Sequence, residues 1–232
     1  MESLAPEGID WYDLMHLADS ALPVGGFAFS SGLESSVKLG LIGRIQDLFG
    51  YLQAYLEQAG SMDLPFMNSI SQLSPNQDVV LQEITQELDA TLILPSMKRA
   101  SILQGRGLLR ILEPLFPDAG IDRARKWMVD AQVPHHYLLV FALGMKHIGC
   151  GLADSQRLHL YIMLRDQVSA AIRLGIIGPM EGHVLQRRLH DRSEEIRAAS
   201  EGLTYTDAAR TCPALEIAQG YHEQIYSRLF QN

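Results

Sequence analysis

The sequence predicts an all-α fold, a single domain built as a bundle of roughly eight to ten helices, and three observations carry that expectation. Apolar residues recur at helical spacing almost throughout, and no segment alternates apolar with polar residues as a half-buried strand would. Pro, Gly and Ser fall where helices should begin and end. With 232 residues the chain can bury a substantial core without disulfide or metal staples, and it shows no internal repeat or low-complexity tract.

The elements follow in order. Residues 1–8 are expected to be mobile. From Leu17 to Glu34 the chain reads as helix, rigid turn, helix: Pro23 fixes φ, the pair Gly25-Gly26 opens conformations closed to other residues, and Leu33 with Val37 gives the next short helix one apolar side. Ile45, Leu48, Leu52, Tyr55 and Leu56 share one helical face. Ser74-Pro75-Asn76-Gln77 supplies a capping Ser, a first-turn Pro and a Gln at the third position, which predicts a helix from Pro75 to Leu94. Pro95 breaks it, and a second long helix carrying Met97, Ile102, Leu103, Leu108 and Leu112 runs to Glu113-Pro114. The apolar stretch from His136 to Leu152 is interrupted by Lys146 and His147 and is too short for the roughly 20 residues of a membrane span, so it reads as a buried helix. Asp154 is placed to cap a helix ending near Gly175, with Leu158, Tyr161, Ile162, Leu164, Arg165 and Val168 in its pattern, and Gly178-Pro179 opens the next. Arg192 to Thr211 is polar and is expected to be a long or mobile loop. A last helix from Pro213 to Leu229 carries Leu215, Ala218, Tyr221, His222, Ile225 and Leu229 on one broad face.

Composition narrows the function. A formal net charge of −8 removes the electrostatic footprint of nucleic-acid binding and favours a neutral or basic protein partner. Arg99, Arg106 and Arg110, and separately Arg187, Arg188 and Arg192, form local basic clusters of the kind solvated helix faces carry. Cys150 and Cys212 are the two cysteines and form no C-x-x-C pair, and the amino terminus has neither the basic region nor the apolar run of a signal peptide. A reducing cytosol, without membrane attachment, is the expected location.

The search for chemistry is mostly exclusion. No phosphate-binding G-x-x-x-x-G-K-[ST] occurs, and Gly105-Arg106-Gly107 is too short to cradle a phosphate. No facing Asp clusters offer a magnesium site. His147 and Cys150, three apart in a helical pattern, could present two soft ligands on one face, although two ligands do not complete a site and buried packing is the simpler expectation. Serine, cysteine, histidine and carboxylates are present without a nucleophile signature. A helical interaction protein is favoured over its rival, a helical enzyme acting on a small hydrophobic or phosphorylated substrate, which would need a closed polar pocket with perturbed acid-base groups.

The stretch Ala21-Leu22-Pro23-Val24-Gly25-Gly26-Phe27 with Gly32-Leu33-Glu34 resembles the amino-terminal signature of the urease accessory protein F family. Arg99-Ala100-Ser101, Gln104-Gly105, Leu108-Leu109-Arg110, Tyr161, Leu164-Arg165-Asp166, the run Ser169 to Leu174, Gly178-Pro179 and the terminal Ser227-Arg228-Leu229-Phe230 are similar to its plant and fungal branch. The resemblance implies an all-α, non-catalytic protein that dimerises and binds the urease accessory protein of the D or H type. Together they form a platform for the G-type GTPase that delivers nickel to apo-urease. In the family the protein is viewed either as a GTPase activator or as a factor coupling GTP hydrolysis to nickel transfer; an adaptor role outside nickel metabolism is the third reading. Nickel and GTP would be handled by the complex, with no cofactor bound directly. Arg173 occupies the basic position of the family's Ala-Ala-(Lys/Arg)-Leu stretch, associated with contact to the GTPase. The partner-binding residues so implied are Pro23, Gly25, Gly26, Phe27, Glu34, Arg173, Tyr221 and Arg228; the alternatives are an intramolecular ion pair for Arg173, ordering of the turn for Glu34 and a backbone-setting role for the glycines. Two departures from bacterial members stand out: the residues at Gly26 and Ala28, and the absence of a charged run across 87–94.

Overall fold

The computed structural model describes residues 9–24, 26–74 and 76–231. Those residues form eleven α-helices and three short 3-10 turns, with no strand among them. In chain order the helices are α1 Trp11–Leu17, α2 Leu33–Lys38, α3 Ile45–Gln72, α4 Asp78–Thr91, α5 Pro95–Leu115, α6 Ile121–Asp130, α7 Tyr137–His147, α8 Leu152–Arg173, α9 Pro179–Arg188, α10 His190–Ala199 and α11 Pro213–Tyr221. The expected all-α class is what the chain adopts. The expected mobile residues 1–8, and the turn residues Gly25 and Pro75, lie outside the described residues.

The core is organised around α7, apolar on every side, with Leu138 to Met145 all buried. It lies against α5 and α3, and α3 in turn against α8. Gly144 lets α5 approach, since a Cβ there would sit 2.5 Å from Leu112 Cδ1. Lys146, the charge that interrupts this apolar run, reaches out of α7 to the end of α3 and donates to the carbonyls of Ile70 (3.1 Å), Ser71 (2.9 Å) and Leu73. Those are the carbonyls a helix C-terminus leaves unpaired, so the cation closes the end of the longest helix.

Pro65 stands in the middle of α3, where it removes the N–H that would bond the Ser61 carbonyl. The freed carbonyl is taken by Ala209 N–H at 3.0 Å. This corrects the expectation that 192–211 is a long or mobile loop, since the segment contains the end of a helix and a 3-10 turn. Residues 190–199 are α10, held by Arg192 to Glu195 and Glu57 (both 2.8 Å) and by Arg197 to Glu194 (2.5 Å) and Glu201 (3.2 Å). Ile196 enters the space that Gly60 leaves on α3. The following segment is pinned by Asn68, whose amide donates to Ser200 O (2.9 Å) and Leu203 O (2.8 Å), and by Cys212 N–H donating to Gln58 Oε1 at 2.9 Å. Polarity misled here because the charges pair at i, i+3 and i, i+4 and the loop's donors meet acceptors on α3.

Two other boundaries differ. The helix expected from Pro75 begins at Asp78, and Gln77 turns back so that its Oε1 accepts the Ser74 N–H at 2.6 Å. The helix expected to run from Pro213 to Leu229 stops at Tyr221, and after the 3-10 turn His222–Gln224 the chain folds back over α2. A single carboxylate, that of Glu34, takes the His222 ring and the backbone N–H groups of Leu229 and Phe230, an arrangement a continuous helix cannot reach.

Candidate functional site

Asp10 caps α1 by accepting from Asp13 N–H at 2.9 Å, and the chain then crosses residues 18–24 into the 3-10 turn Gly26–Ala28 before entering α2 through Ser31 (φ +48°) and Gly32 (φ +95°). The turn is wedged between two helices. Val24 O rests on α5, where a Cβ at Gly107 would lie 2.7 Å from it, and a Cβ at Gly26 would overlap Asp166 Oδ2 on α8. Arg165 ties the same surfaces, chelating Asp166 Oδ1 through Nε (3.0 Å) and Nη2 (2.7 Å) while Nη1 donates to Ala18 O. Burial pushes the Asp166 carboxyl above the usual carboxylate range against the pull of that guanidinium. The other glycine of the 105–107 pair has the same logic, because the His135 carbonyl occupies the place its Cβ would take.

Beneath the turn lies a cavity of about 250 Å³, open at one side and bordered by Gly26, Tyr55, Asp63, His159, Asp166 and Arg173 among others. Burial raises Tyr55 to about 12 and Tyr137 higher still, so both phenols are neutral hydrogen-bonding groups. His159 stacks on Tyr137 and its Nε2 lies 2.9 Å from Asp63 Oδ2. It is one of three buried histidines that join a carboxylate from a distant helix: His136 to Asp89 at 3.0 Å, with burial holding its ring below the ordinary range, and His222 to Glu34 at 3.0 Å. Sequence reading missed all three pairings, since each bridges elements far apart in the chain.

The anticipated partner-binding residues divide. The carboxy-terminal tail links Ala28, the last residue of the Gly26–Ala28 turn, with Glu34 and Arg173. Gln231 N–H donates to Ala28 O at 2.8 Å, Leu229 and Phe230 N–H donate to Glu34, and the Phe230 ring lies 4.3 Å from Arg173 Cζ. Of the two readings of Glu34, ordering the local chain or facing a partner, its 1% exposure and bonds to its own chain favour the first. Burial alone would raise its pKa, but the two N–H donors and His222 together hold it below the usual carboxylate range. Pro23 and Arg228 face solvent, and Tyr221 ends α11 at 37% exposure.

The His147 and Cys150 pair does not share a helix face. His147 is the last residue of α7 with Nδ1 3.1 Å from Ala119 O, the chain then turns at Gly149 (φ +78°), and Cys150 contacts Gly151 O. Burial raises the Cys150 thiol, which makes it a poorer metal ligand. Among the described residues no group of three or more His, Cys, Asp or Glu side chains is gathered as metal ligation requires, and no helix is long and apolar enough to cross a membrane.

The UreF family model matches residues 42–190, more than half of the chain. The chain belongs to the UreF family. On this UreF-family chain the matched interval holds α3 to α9 and begins after the Pro23 to Phe27 turn. A relative named urease accessory protein F from Arabidopsis thaliana is 34% identical over 92% of this chain and 89% of its own length. The protein of that name from Oryza sativa subsp. indica is 32% identical over 92% of this chain and 82% of its own. The bacterial urease accessory protein UreF of Paenarthrobacter aurescens is 27% identical over 94% and 96%.

Proposed function

We propose that this chain is a non-catalytic urease maturation factor of the cytosol. It docks on a D- or H-type accessory protein and on the G-type GTPase, works as a homodimer within that complex, and couples GTP hydrolysis to nickel insertion into apo-urease. Nickel and GTP are held by the complex and not by this chain. The observation that carries the reading is the family membership joined to the position of Arg173: it ends α8, lies against the Phe230 ring of the tail and borders the same cavity as Gly26 of the turn that resembles the family signature. A guanidinium there suits an acidic partner surface, which it can bind bidentately.

Mixing the purified chain with D- and G-type proteins and GTP, followed by size exclusion with light scattering, should give a joint species; its absence overturns the proposal. Arg173→Ala should lower urease activation while circular dichroism stays unchanged, and full activation would remove that residue from the interface. GTP turnover in the same mixtures separates activator from coupler: an activator raises the GTPase rate on mixing, a coupler leaves it unchanged until apo-urease is added.

A further inference from the structure

We propose that the cavity beneath the Gly26 turn is a binding site for a linear diamine, a short apolar chain with an ammonium group at each end. The proposal does not rest on the maturation role.

Both ends of the cavity carry acceptors without donors. At one end Asp63 faces His159 Nε2 at 2.9 Å through Oδ2, and its Oδ1 meets no donor among the described residues. With the ring proton on Nε2, facing the carboxylate, Nδ1 is a bare acceptor, and it has no hydrogen-bond partner although His159 is 2% exposed. At the other end Arg165 chelates Asp166 Oδ1 and leaves Oδ2 without a donor among the described residues. Gln167 beside it is also 2% exposed, and its Oε1 has no partner. Acceptors buried in this state cost stability until a donor meets them. The cations on the wall are engaged elsewhere: Arg165 with Asp166 Oδ1 and Ala18 O, Arg210 with Thr91 O at 2.9 Å and Glu216 at 3.4 Å, and Arg173 against the Phe230 ring. Burial first, and then Asp166 and Asp63 against the pull of Arg165, push the Tyr137 phenol up. The same negative potential favours a cation in the space between them.

Spacing selects the length of the ligand. His159 and Asp166 stand two turns apart on α8, so they share a face and lie about 10 Å apart along its axis. A charged hydrogen bond of about 2.8 Å at each end leaves roughly 5–8 Å between two ammonium nitrogens, the span of an extended chain of about four to six carbons. Between the ends the wall is apolar, with Met62, Phe141, Ile162 and Met163, and the cavity of about 250 Å³ is open at one side to admit such a molecule. An ammonium group has three donors and no acceptor, which suits ends that offer acceptors alone. An anion would face two carboxylates, and one metal ion cannot touch groups so far apart.

The test is calorimetric titration of the full chain with putrescine, cadaverine and hexamethylenediamine, beside pentylamine and the diol that matches cadaverine in length. At least one diamine should bind saturably, one per chain, and pentylamine and the diol should bind more weakly by about tenfold or more, the worth of one charged hydrogen bond. Absence of saturable diamine binding overturns the site, and equal affinity for cadaverine and pentylamine overturns its two ends. Asp63→Asn and Asp166→Asn should each weaken the bound diamine by about tenfold or more while circular dichroism stays unchanged. Unchanged affinity in a folded variant places the diamine elsewhere and overturns the proposal. In the wild-type chain the same diamine should move the His159 Nδ1 nitrogen resonance and the diol should not. A resonance that stays still under saturating diamine overturns the assignment, and this readout decides it even where an asparagine variant fails to fold.

Discussion

Glu34 on α2 and His222 beyond α11 stand 188 residues apart and share a buried hydrogen bond of 3.0 Å, the carboxylate also taking two backbone N–H groups of the tail. With a carboxylate facing Nε2, that nitrogen carries the proton and donates. The amino-terminal and carboxy-terminal ends of the fold are therefore joined through one side chain. The Gly32 turn that introduces α2 closes against α11, where Gln219 leaves no room for a side chain.

Glu34→Gln is the first prediction. An amide replaces one acceptor oxygen by a donor that faces N–H groups already donating, so a buried network is left half satisfied. Urea denaturation should show a loss of about 1–3 kcal/mol, the range for leaving a buried donor or acceptor unsatisfied. Hydrogen exchange at Leu229 and Phe230 should accelerate together. Wild-type stability with unchanged exchange would mean that the carboxylate does not fasten the tail.

The same carboxylate gives stability a pH dependence. Its folded pKa lies below its unfolded value, so the unfolded state binds the proton more readily and the contribution is present above the unfolded pKa, about 4.3 for Glu. It is lost as pH falls through the folded value. Wild-type unfolding free energy should therefore drop between pH 5 and the acid limit more steeply than that of Glu34→Gln, and the two curves should converge at low pH. Parallel curves would contradict the assignment.

Gly26→Ala tests why the turn needs glycine. The added Cβ would overlap Asp166 Oδ2, and Gly26 has no positive φ, so the demand is one of space and not of backbone conformation. The substitution should cost about 1–3 kcal/mol by overpacking. Combined with Asp166→Ala it should cost less than the sum of the two single changes, because the clash disappears with the carboxylate. Strict additivity in thermal unfolding would place the strain elsewhere.

The sequence made the helices legible and left the joints between them obscure. Periodicity placed α3, α5, α7 and α8 because each has an apolar pattern longer than two turns. The rigid turn before Glu34 was legible from Pro23 and the glycines, but its seat between Gly107 and Asp166 was not, since spacing says nothing of which distant backbone a glycine admits. Polarity across 192–211 concealed α10 because the charges there are paired with one another and with Glu57. Arg173 was legible only through the resemblance. The Phe230 ring over it was not, because the helical pattern from Pro213 to Leu229 continues smoothly past the residue where the chain reverses.

Gly105→Ala sets two effects of opposite sign against each other. Helix propensity alone favours alanine inside α5 by about 1 kcal/mol. The new Cβ would strike the His135 carbonyl, a backbone atom that cannot rotate away. The next residue, His136, is held by Ser101 on α5 and Asp89 on α4, so the strand of chain before α7 cannot retreat without breaking those bonds. The net change should be destabilising by about 1–3 kcal/mol, as forced repacking usually is. A raised melting temperature would show that the approach of the two backbones is looser than the geometry states.

Pro65→Ala probes the attachment of the segment after α10. Alanine restores an N–H that can bond the Ser61 carbonyl within α3, in competition with Ala209 N–H, which now takes that carbonyl at 3.0 Å. Intrahelical closure is local and needs no distant segment to be ordered, so it should win. The amide of Ala209 should then exchange faster, and because Ser61 Oγ to Thr211 Oγ1 (3.0 Å) is a neighbouring link, Thr211 should follow. The fastening of Cys212 N–H to Gln58 lies a turn further back on α3 and should keep its protection. Slow exchange at Ala209 in the variant would show that the proline serves α3 alone and not the docking of the connection that leads into α11.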